Sequence, residues 1–226
     1  MDKPIRNNGP AALVASDLNG TLTTGSPVLA VYHWLRANQP DSPPPLFKYR
    51  ILLSYLQVKA GLREIDTWGQ QAMSAVLSFV REPDTQVLER LMDFVVEREL
   101  WPARREKPIS LLRKLHKEGG EIYLISAAYH PAVERFARYI APERVYGIGT
   151  QVLLTEEGLC LSESFISRKK KLEALLEKIG SRELDVALGD TFADIPLLER
   201  AGKAIAVHPD KRLESRAKEE NWEIIR

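Results

Sequence analysis

Short apolar runs recur along the chain, and each ends in a polar or small residue. The four clearest cover residues 11–16 (AALVAS), 121–126 (EIYLIS), 184–190 (LDVALGD) and 203–208 (KAIAVH). Runs of this length bounded by turn residues predict buried strands. Helical patterns precede the second run, follow it and precede the third, at residues 108–120, 131–140 and 169–180. Strands that alternate with helices predict an α/β fold with a doubly wound parallel sheet.

The interval between the first two runs has a different pattern, because its apolar residues are spaced three and four apart. Four segments show this spacing: VLAVYHWLRA, LFKYRILLSYLQVKAG, LREIDTWGQQAMSAVLSFV and TQVLERLMDFVVEREL. The spacing predicts amphipathic helices, and no strand pattern interrupts them. We therefore expect an all-helical cap of residues 26–100, inserted into a core made of residues 1–25 and 101–226.

A hairpin pattern lies between the second and third apolar runs. Residues 146–165 (YGIGTQVLLTEEGLCLSESF) hold two apolar stretches separated by EEG. Because a glycine in such a short polar connection is typical of a hairpin turn, we expect two antiparallel strands here.

Composition narrows the class of protein. The 226 residues suffice for one large domain or one domain with an insertion, and the net charge of +1 gives no overall attraction to nucleic acid or to a membrane. Cys160 is the only cysteine, which excludes an internal disulfide and favours a reducing compartment. The first ten residues lack the apolar stretch of a signal peptide. We expect a cytoplasmic protein without a nucleic-acid or membrane partner; its oligomeric state is left open.

Polar residues with related chemistry follow three of the predicted strands. Asp17, Ser126 and Asp190 stand at strand ends, and the carboxyl ends of parallel strands meet at one edge of a sheet. Phosphoryl transfer through an aspartyl-phosphate needs a carboxylate nucleophile, cationic help and hydrogen-bond donors for the phosphate oxygens. The chain has a candidate for each. The alternative is that loops are polar and these residues merely follow strands.

Two further patterns add metal-binding and cationic groups. GDTFAD places Asp190 and Asp194 four positions apart, where one carboxylate can bind Mg²⁺ and the other can brace the site. Lys169, Lys170 and Lys171 begin a helix, where the helix dipole disfavours cations unless an anion lies nearby. A solvated basic patch is the alternative interpretation of the lysines, and the absence of interleaved aromatic residues disfavours a nucleic-acid contact.

The ordered set of DLNGT, Ser126, a lysine and GDTFAD is similar to the four motifs of the haloacid dehalogenase superfamily. The resemblance is to the branch that includes phosphoserine phosphatase, and it covers nearly the whole chain, from Ala11 to the terminal NWEIIR. The helical insertion between the first two motifs resembles the cap domain of that branch. The resemblance implies a Mg²⁺-dependent phosphatase that acts on a small phosphorylated metabolite.

The resemblance also implies roles for individual residues. Asp17 would be the nucleophile that attacks phosphorus. Its other oxygen would hold Mg²⁺ together with the backbone carbonyl of Asn19 and the side chain of Asp190. Ser126 and Ala127 would bind the phosphate.

A lysine and a further carboxylate complete the implied site. The family's lysine corresponds best to Lys171, because Lys171 and Leu175 meet the pattern K-x-x-x-L; Lys170 is the second candidate. It would neutralise the nucleophile and the phosphoryl oxygens. Asp194 would orient this lysine or a metal-bound water.

The chain departs from the family pattern at Asn19. The family's phosphatases carry an aspartate at this position, which protonates the leaving oxygen and then activates water. An amide exchanges no proton at neutral pH, while its backbone carbonyl still binds a metal. Losing general acid and base catalysis costs about 10² to 10⁴ in rate. We therefore expect the site to bind its ligands and to turn over slowly.

Three explanations of Asn19 remain open. The protein is an ordinary phosphatase whose aspartate was replaced so that a ligand is retained, or a natural variant in which another group assists the slow step. In the third, it has left catalysis and binds a phosphorylated ligand as a regulatory module. A receiver domain phosphorylated on Asp17 is a lesser alternative, disfavoured by the large helical insertion, which a phosphatase uses to close over its substrate.

The substrate is indicated only in part. In phosphoserine phosphatases a glutamate nine positions after the nucleophile binds the substrate's amino group, and here that position is Ser26, which disfavours phosphoserine. We expect the large apolar residues of the cap to form the interior of a helix bundle; if some face the sheet, a less polar phosphomonoester is favoured. These residues are Tyr32, Trp34, Tyr55, Trp68, Met73 and Phe79. His130 lies near Ser126 and is a further candidate for the mouth of the site.

Overall fold

A computed structural model describes residues 11–39, 41–166 and 170–226. Residues 1–10, to which the expectation about a signal peptide refers, and Lys169 lie outside the described residues. Among the helices that the structure describes, none is both long enough and apolar enough to cross a membrane.

A six-stranded parallel sheet forms the centre of the molecule. The strands along the chain are β1 (Leu13–Asp17), β2 (Glu121–Tyr129), β3 (Val145–Thr150), β4 (Val152–Thr155), β5 (Gly158–Leu161), β6 (Leu184–Gly189), β7 (Ala201–Val207) and β8 (Glu223–Ile225). The sheet has the order β3-β2-β1-β6-β7-β8, and β4 pairs with β5 in a separate antiparallel hairpin. All four apolar runs of the sequence are strands of the sheet, which confirms the predicted fold class.

Helices connect the strands and cover both faces of the sheet. They are α1 (Pro27–Asn38), α2 (Phe47–Lys59), α3 (Ile65–Leu77), α4 (Thr85–Phe94), α5 (Glu106–Lys117), α6 (His130–Ile140), α7 (Lys171–Ile179), α8 (Ile195–Glu199) and α9 (Lys211–Glu219). A π-helical stretch, Val95–Leu100, continues α4, and a 3₁₀ turn, Phe192–Asp194, precedes α8.

Alternating residues of β1 belong to two separate hydrophobic clusters, one on each face of the sheet. Val14 belongs to the cluster that contains α5, α6 and the helices between β1 and α5. Leu13 and Ala15 belong to the other cluster, together with residues of α7, α8 and α9. Because successive side chains of a strand point to opposite faces, both faces of the sheet are buried under helices.

The segment from 146 to 150 differs from the sequence expectation. It was expected in an antiparallel hairpin, but it belongs to β3, which runs parallel to β2. A Cβ atom on Gly147 would lie 2.5 Å from the backbone nitrogen of Glu134 in α6, so this strand contains glycine because α6 packs closely on it. Glycine-rich strands resemble turns in sequence. The hairpin itself is confirmed for β4 and β5, and β8 was not predicted.

The helices between β1 and α5 share a hydrophobic core with one face of the sheet. Buried residues from α1, α3, α4 and the π-helical stretch, such as Leu35, Met73 and Leu91, lie in the same cluster as residues of β1 and β2. A hydrogen bond also joins these helices to the loop after β1, since the Thr23 hydroxyl donates to the Leu100 carbonyl at 2.6 Å. We call residues 27–100 the helical insert. Its division from the core at residues 25 and 101 stays a prediction.

Candidate active site

The register of the sheet brings Asp17, Ser126 and Asp190 to one edge, although Ser126 is not the end of its strand, because β2 continues to Tyr129 with an irregular register after Ile125. β1 lies between β2 and β6, with Asp17 opposite Ile125 and Ser16 opposite Leu188. Ser126 therefore follows directly beside Asp17, and Asp190 follows two residues beyond Leu188 on the other side. The three side chains were predicted to meet here, and the structure places all of them around one cavity.

Lys171 lies against the Asp17 carboxylate. Its Nζ donates to Asp17 Oδ1 at 2.6 Å and to Asp194 Oδ1 at 2.8 Å, and both carboxylates are buried. The helix positions it by spacing, because Lys171, Leu175 and Ile179 form the buried stripe of α7. Lys170 precedes the helix and is exposed. Of the two lysine candidates, the structure brings only Lys171 to Asp17.

Thr21 was missed from the sequence, although it stands within the DLNGT motif. Its hydroxyl lies 2.8 Å from Asp17 Oδ2 and 3.1 Å from Asp190 Oδ1. The hydroxyl has one proton, so it donates to one of these oxygens at a time. The glycine of the same motif is also explained: Gly20 has a φ of +98°, and a Cβ there would lie 2.0 Å from Asp190 Oδ2.

Asp194 is held on both of its oxygens. Oδ1 accepts from Lys171, and Oδ2 accepts from the backbone N–H groups of Asp190 and Thr191 at 3.2 and 3.1 Å. The Thr191 hydroxyl donates to the same Oδ2 at 3.1 Å. This carboxylate therefore fixes both the lysine and the loop that bears Asp190.

The site has more negative charge than Lys171 balances. Burial acts to lower the pKa of Lys171, but Asp17 and Asp194 outweigh it and raise that pKa. Burial acts to raise the pKa of Asp194, but the Lys171 ammonium and the donors from Thr191 hold it below its usual value. Burial raises the pKa of Asp17 despite Lys171, and burial together with Asp17 and Asp194 raises the pKa of Asp190 to about 8.

This excess of charge fits a divalent cation. Carboxylate oxygens of Asp17, Asp190 and Asp194 all lie within 4.8 Å of one another. Asp194 accepts from four donors, whereas Asp17 Oδ2 and Asp190 Oδ1 share the single proton of the Thr21 hydroxyl, so Asp17 and Asp190 are the carboxylates more available to a metal. No backbone N–H of the described residues donates to the carbonyl of Asn19, which remains available as well. Oxygen donors of this kind are those that Mg²⁺ prefers.

The side chain of Asn19 connects two parts of the site. Its Nδ2 donates to the carbonyl of Gly25 at 3.1 Å, and its Oδ1 accepts from the Ser126 hydroxyl at 3.0 Å. Ser126 Oγ in turn accepts from the backbone N–H of Ala128 at 3.2 Å. Ala127 also lines the cavity. The amide thus joins Ser126 of β2 to Gly25, which directly precedes the helical insert region.

The cavity above Asp17 has a volume of about 490 Å³, and the helical insert forms much of its wall. Trp34 is buried and Phe79 packs on Phe47 with ring centroids 4.9 Å apart, as expected for a helix interior. Tyr55, Trp68 and Met73 line the cavity, although Met73 is also buried in the core and Trp68 packs against it. Periodicity identifies buried faces, but it cannot distinguish a face packed on protein from one that borders a ligand cavity.

His130 does not take the place suggested for it. Its Nε2 lies 3.7 Å from Glu134 one turn later in α6, and it is not among the residues that line the cavity. Burial lowers the pKa of His130. His130 is close to Ser126 in sequence, but it is the first residue of α6 and its ring lies beside Glu134 of the same helix. It therefore does not reach the cavity.

The parallel sheet with this carboxylate and lysine site agrees with one known family. The profile described as haloacid dehalogenase-like hydrolase matches residues 14–199, which is most of the chain. The protein therefore belongs to this family of hydrolases.

Particular relatives support the same assignment. A putative hydrolase of Mycobacterium leprae is 25% identical over 99% of this chain and 76% of its own length. A phosphoserine phosphatase of Mycobacterium tuberculosis is 26% identical over 92% of this chain and 68% of its own.

Solved structures show a similar fold at low sequence identity. A protein of unknown function from Bordetella pertussis has a TM-score of 0.78 and 17% identity, covering 96% of this chain and 99% of its own. A substrate-bound phosphoserine phosphatase has a TM-score of 0.62 and 15% identity, covering 96% of this chain and 94% of its own. The fold neighbours thus include a phosphoserine phosphatase, in line with the sequence resemblance.

Proposed function

We propose that the protein is a Mg²⁺-dependent phosphomonoester phosphatase that forms an aspartyl-phosphate on Asp17. The observation that carries the proposal is the buried Asp17 carboxylate, held by Lys171 at 2.6 Å and by Thr21 at 2.8 Å, at the floor of a cavity. These contacts fix the orientation of the carboxylate, which is what an in-line attack on phosphorus requires.

In the first step a carboxylate oxygen of Asp17 attacks phosphorus, and the bond between phosphorus and the leaving oxygen breaks. The Lys171 ammonium balances charge on the phosphoryl oxygens, while the Ala127 N–H and the Ser126 hydroxyl, once it has left Asn19 Oδ1, donate to them. Mg²⁺ held by Asp17, Asp190 and the Asn19 carbonyl would neutralise further negative charge. In the second step water attacks the phosphorus of the aspartyl-phosphate, releases inorganic phosphate and regenerates the carboxylate.

Asn19 limits this cycle at its two proton transfers. The leaving oxygen must gain a proton in the first step, and the attacking water must lose one in the second. The amide performs neither transfer, so we expect a rate reduced by about 10² to 10⁴, equal to roughly 3 to 5 kcal/mol of barrier. An activated leaving group such as a nitrophenolate needs no proton in the first step, so the second step would then limit turnover.

A second candidate function is binding of a phosphorylated ligand without efficient turnover. The hydrogen bonds of Asn19 to Gly25 and Ser126 favour it, because both use the amide in a structural contact. In this case Asp17, Lys171 and Ser126 would still hold a phosphate, and the helical insert would report its presence to a partner.

The test is Mg²⁺-dependent phosphate release from p-nitrophenyl phosphate by this chain, by Asn19→Asp and by Asp17→Asn. Intact mass, measured after rapid acid quenching, detects a phosphoryl group on Asp17. A phosphatase shows release or phosphorylation that Asp17→Asn abolishes. If neither this chain nor Asn19→Asp releases phosphate or gains a phosphoryl mass, the enzymatic proposal is wrong and the binding function stands.

A further inference from the structure

The cavity above Asp17 has two walls of different chemistry. The sheet edge contributes charged and polar side chains, among them Asp17, Ser126 and Lys171. The helical insert contributes mainly apolar side chains to the facing wall. These are Ile51, Leu52, Tyr55, Ile65, Trp68 and Met73. A phosphate bound at the sheet edge would therefore direct its esterified group toward an apolar surface.

The apolar wall is held in place by contacts within the protein. The indole N–H of Trp68 donates to the Ser54 hydroxyl at 2.8 Å, and its ring lies 5.1 Å from that of Tyr55, centroid to centroid. The backbone carbonyl of Met73 accepts from the buried Tyr129 hydroxyl at 3.2 Å. The polar atom of Trp68 is thus satisfied away from the cavity, so its ring is free to contact an apolar ligand.

Helix α2 presents two neighbouring faces, and only one of them borders the cavity. Lys48, Ile51, Leu52 and Tyr55 line the cavity at the spacing of one helical face. Leu53 lies on the neighbouring side and is 62% exposed, while Leu52 is 54% exposed. Leu52 and Leu53 are thus matched in residue type, helix and exposure, and they differ in whether they line the cavity.

This wall offers little to the ammonium group of an amino acid phosphate apart from Asp66. Ser26, at the position where a phosphoserine phosphatase has its amine-binding glutamate, is the N-cap of α1 and accepts from the Leu29 N–H at 3.3 Å. Asp66 is the acidic side chain that the insert contributes to the lining. An ammonium group placed against the remaining apolar wall would lose water without gaining a partner, which is costly.

We propose that the ligand of this site is a phosphomonoester whose organic group is an alkyl or aryl group, bound against Leu52, Tyr55 and Trp68. This inference rests on the proposed function for the position of the phosphate. It extends that function by naming the chemical class of the leaving group. The cavity volume of about 490 Å³ lies within the range of small-molecule sites and leaves room for such a group beyond the phosphate.

Two measurements test the inference on the full chain with Mg²⁺. Calorimetry gives the dissociation constants of ethyl, butyl, hexyl and octyl phosphonate, which are not hydrolysed. Steady-state phosphate release gives kcat/KM for the corresponding alkyl phosphates and for phosphoserine. Concentrations stay below those at which octyl compounds form micelles. Each added methylene is expected to improve both quantities by about fourfold until the apolar wall is covered. The gain should appear in KM more than in kcat.

The outcomes separate this inference from the proposed function. Chain-length-dependent binding of phosphonates without phosphate release supports the apolar ligand class and contradicts the phosphatase. Phosphate release without dependence on chain length, or with a preference for phosphoserine, supports the phosphatase and overturns the apolar class.

Leu52→Gln and Leu53→Gln form the matched pair of variants. Leu52→Gln is expected to weaken octyl phosphonate by about five- to tenfold and ethyl phosphonate by less than about twofold. Leu53→Gln should leave both dissociation constants unchanged. Equal effects of the two variants on octyl phosphonate would overturn the placement of the organic group.

Cosedimentation with phosphatidic acid vesicles distinguishes the source of the ligand. If Leu53→Gln weakens vesicle binding but not octyl phosphonate binding, the apolar class extends to membrane lipids.

Discussion

The side-chain oxygen of Asn19, in the loop that follows β1, accepts a hydrogen bond from the Ser126 hydroxyl of β2 at 3.0 Å. The other end of the same amide donates to the Gly25 carbonyl at 3.1 Å. An amide has the donor and the acceptor that these two partners need. An ionised carboxylate would accept from Ser126 but would direct its second oxygen at the carbonyl oxygen of Gly25.

Asn19→Asp is therefore expected to gain phosphatase activity, and the pKa of its new carboxyl group is expected to be raised. The Gly25 carbonyl favours the protonated form, as does the nearby carboxylate of Asp17, so the pKa of the new carboxyl should lie above its usual value. A protonated carboxyl is the form that a general acid needs. We expect kcat for a phosphate ester with a poor leaving group to rise about 10²- to 10⁴-fold. Steady-state kinetics across pH measure it, and Asn19→Ala is the control that should show no gain.

Lys171→Met is expected to destabilise the fold strongly and to prevent phosphorylation of Asp17. Removing the ammonium leaves Asp17 and Asp194 buried without their cation, which costs about 3 to 5 kcal/mol. Both carboxyl pKa values would then exceed the unfolded value of 3.8, so the penalty is present above that pH and shrinks as the pH falls toward it.

Urea unfolding at pH 5 and pH 8 measures the effect of Lys171→Met. Lys170→Met is the matched control, because Lys170 is exposed and donates to neither carboxylate. Equal stability of the two variants at pH 8 would contradict the structural importance of the buried lysine.

Asp190→Asn is expected to stabilise the metal-free protein and to remove its response to Mg²⁺. The pKa of Asp190 is raised from 3.8 to about 8, so its ionisation costs the folded state stability increasingly as pH rises between these values. The amide removes this cost, which is on the order of a few kcal/mol because one pKa unit equals about 1.4 kcal/mol. Thermal unfolding at pH 8 with EDTA and with Mg²⁺ measures both effects. If Mg²⁺ still raises the melting temperature of the variant, Asp190 is not a ligand.

Gly20→Ala is expected to disturb the metal site in addition to straining the backbone. Gly20 has a φ of +98°, and an added Cβ would lie 2.0 Å from Asp190 Oδ2, so the carboxylate must move. Gly61→Ala is the matched control, because Gly61 also has a positive φ of +73° but no atom lies within 4 Å of an added Cβ. Both variants should lose about 1 to 2 kcal/mol through backbone strain.

Only Gly20→Ala should also weaken the stabilisation by Mg²⁺. The comparison of the two alanine variants in thermal unfolding, with and without Mg²⁺, separates the two effects. A normal Mg²⁺ response in Gly20→Ala would show that the Asp190 side chain can move without loss of binding.

The sequence by itself determined the class of fold and the candidates for the site. Apolar runs ending in polar residues predicted four strands of the sheet, since burial on both faces requires continuous apolar residues. It missed β3, because the glycines that admit α6 resemble a turn, and it missed β8. Asp17, Ser126 and Asp190 were predicted at one edge, because the ends of adjacent parallel strands converge whatever the details of packing.

Only the tertiary structure decided which groups meet at short range. The pattern K-x-x-x-L favoured Lys171 over Lys170 without excluding Lys170, and the packing of Leu175 and Ile179 on the sheet brings Lys171 to Asp17. The tertiary structure also decided which apolar residues of the helical insert face the core and which face the cavity, because both groups show the same helical spacing in the sequence. Spacing along a helix records which residues share a face, whereas the contact of that face with a core or with a cavity depends on elements distant in the chain.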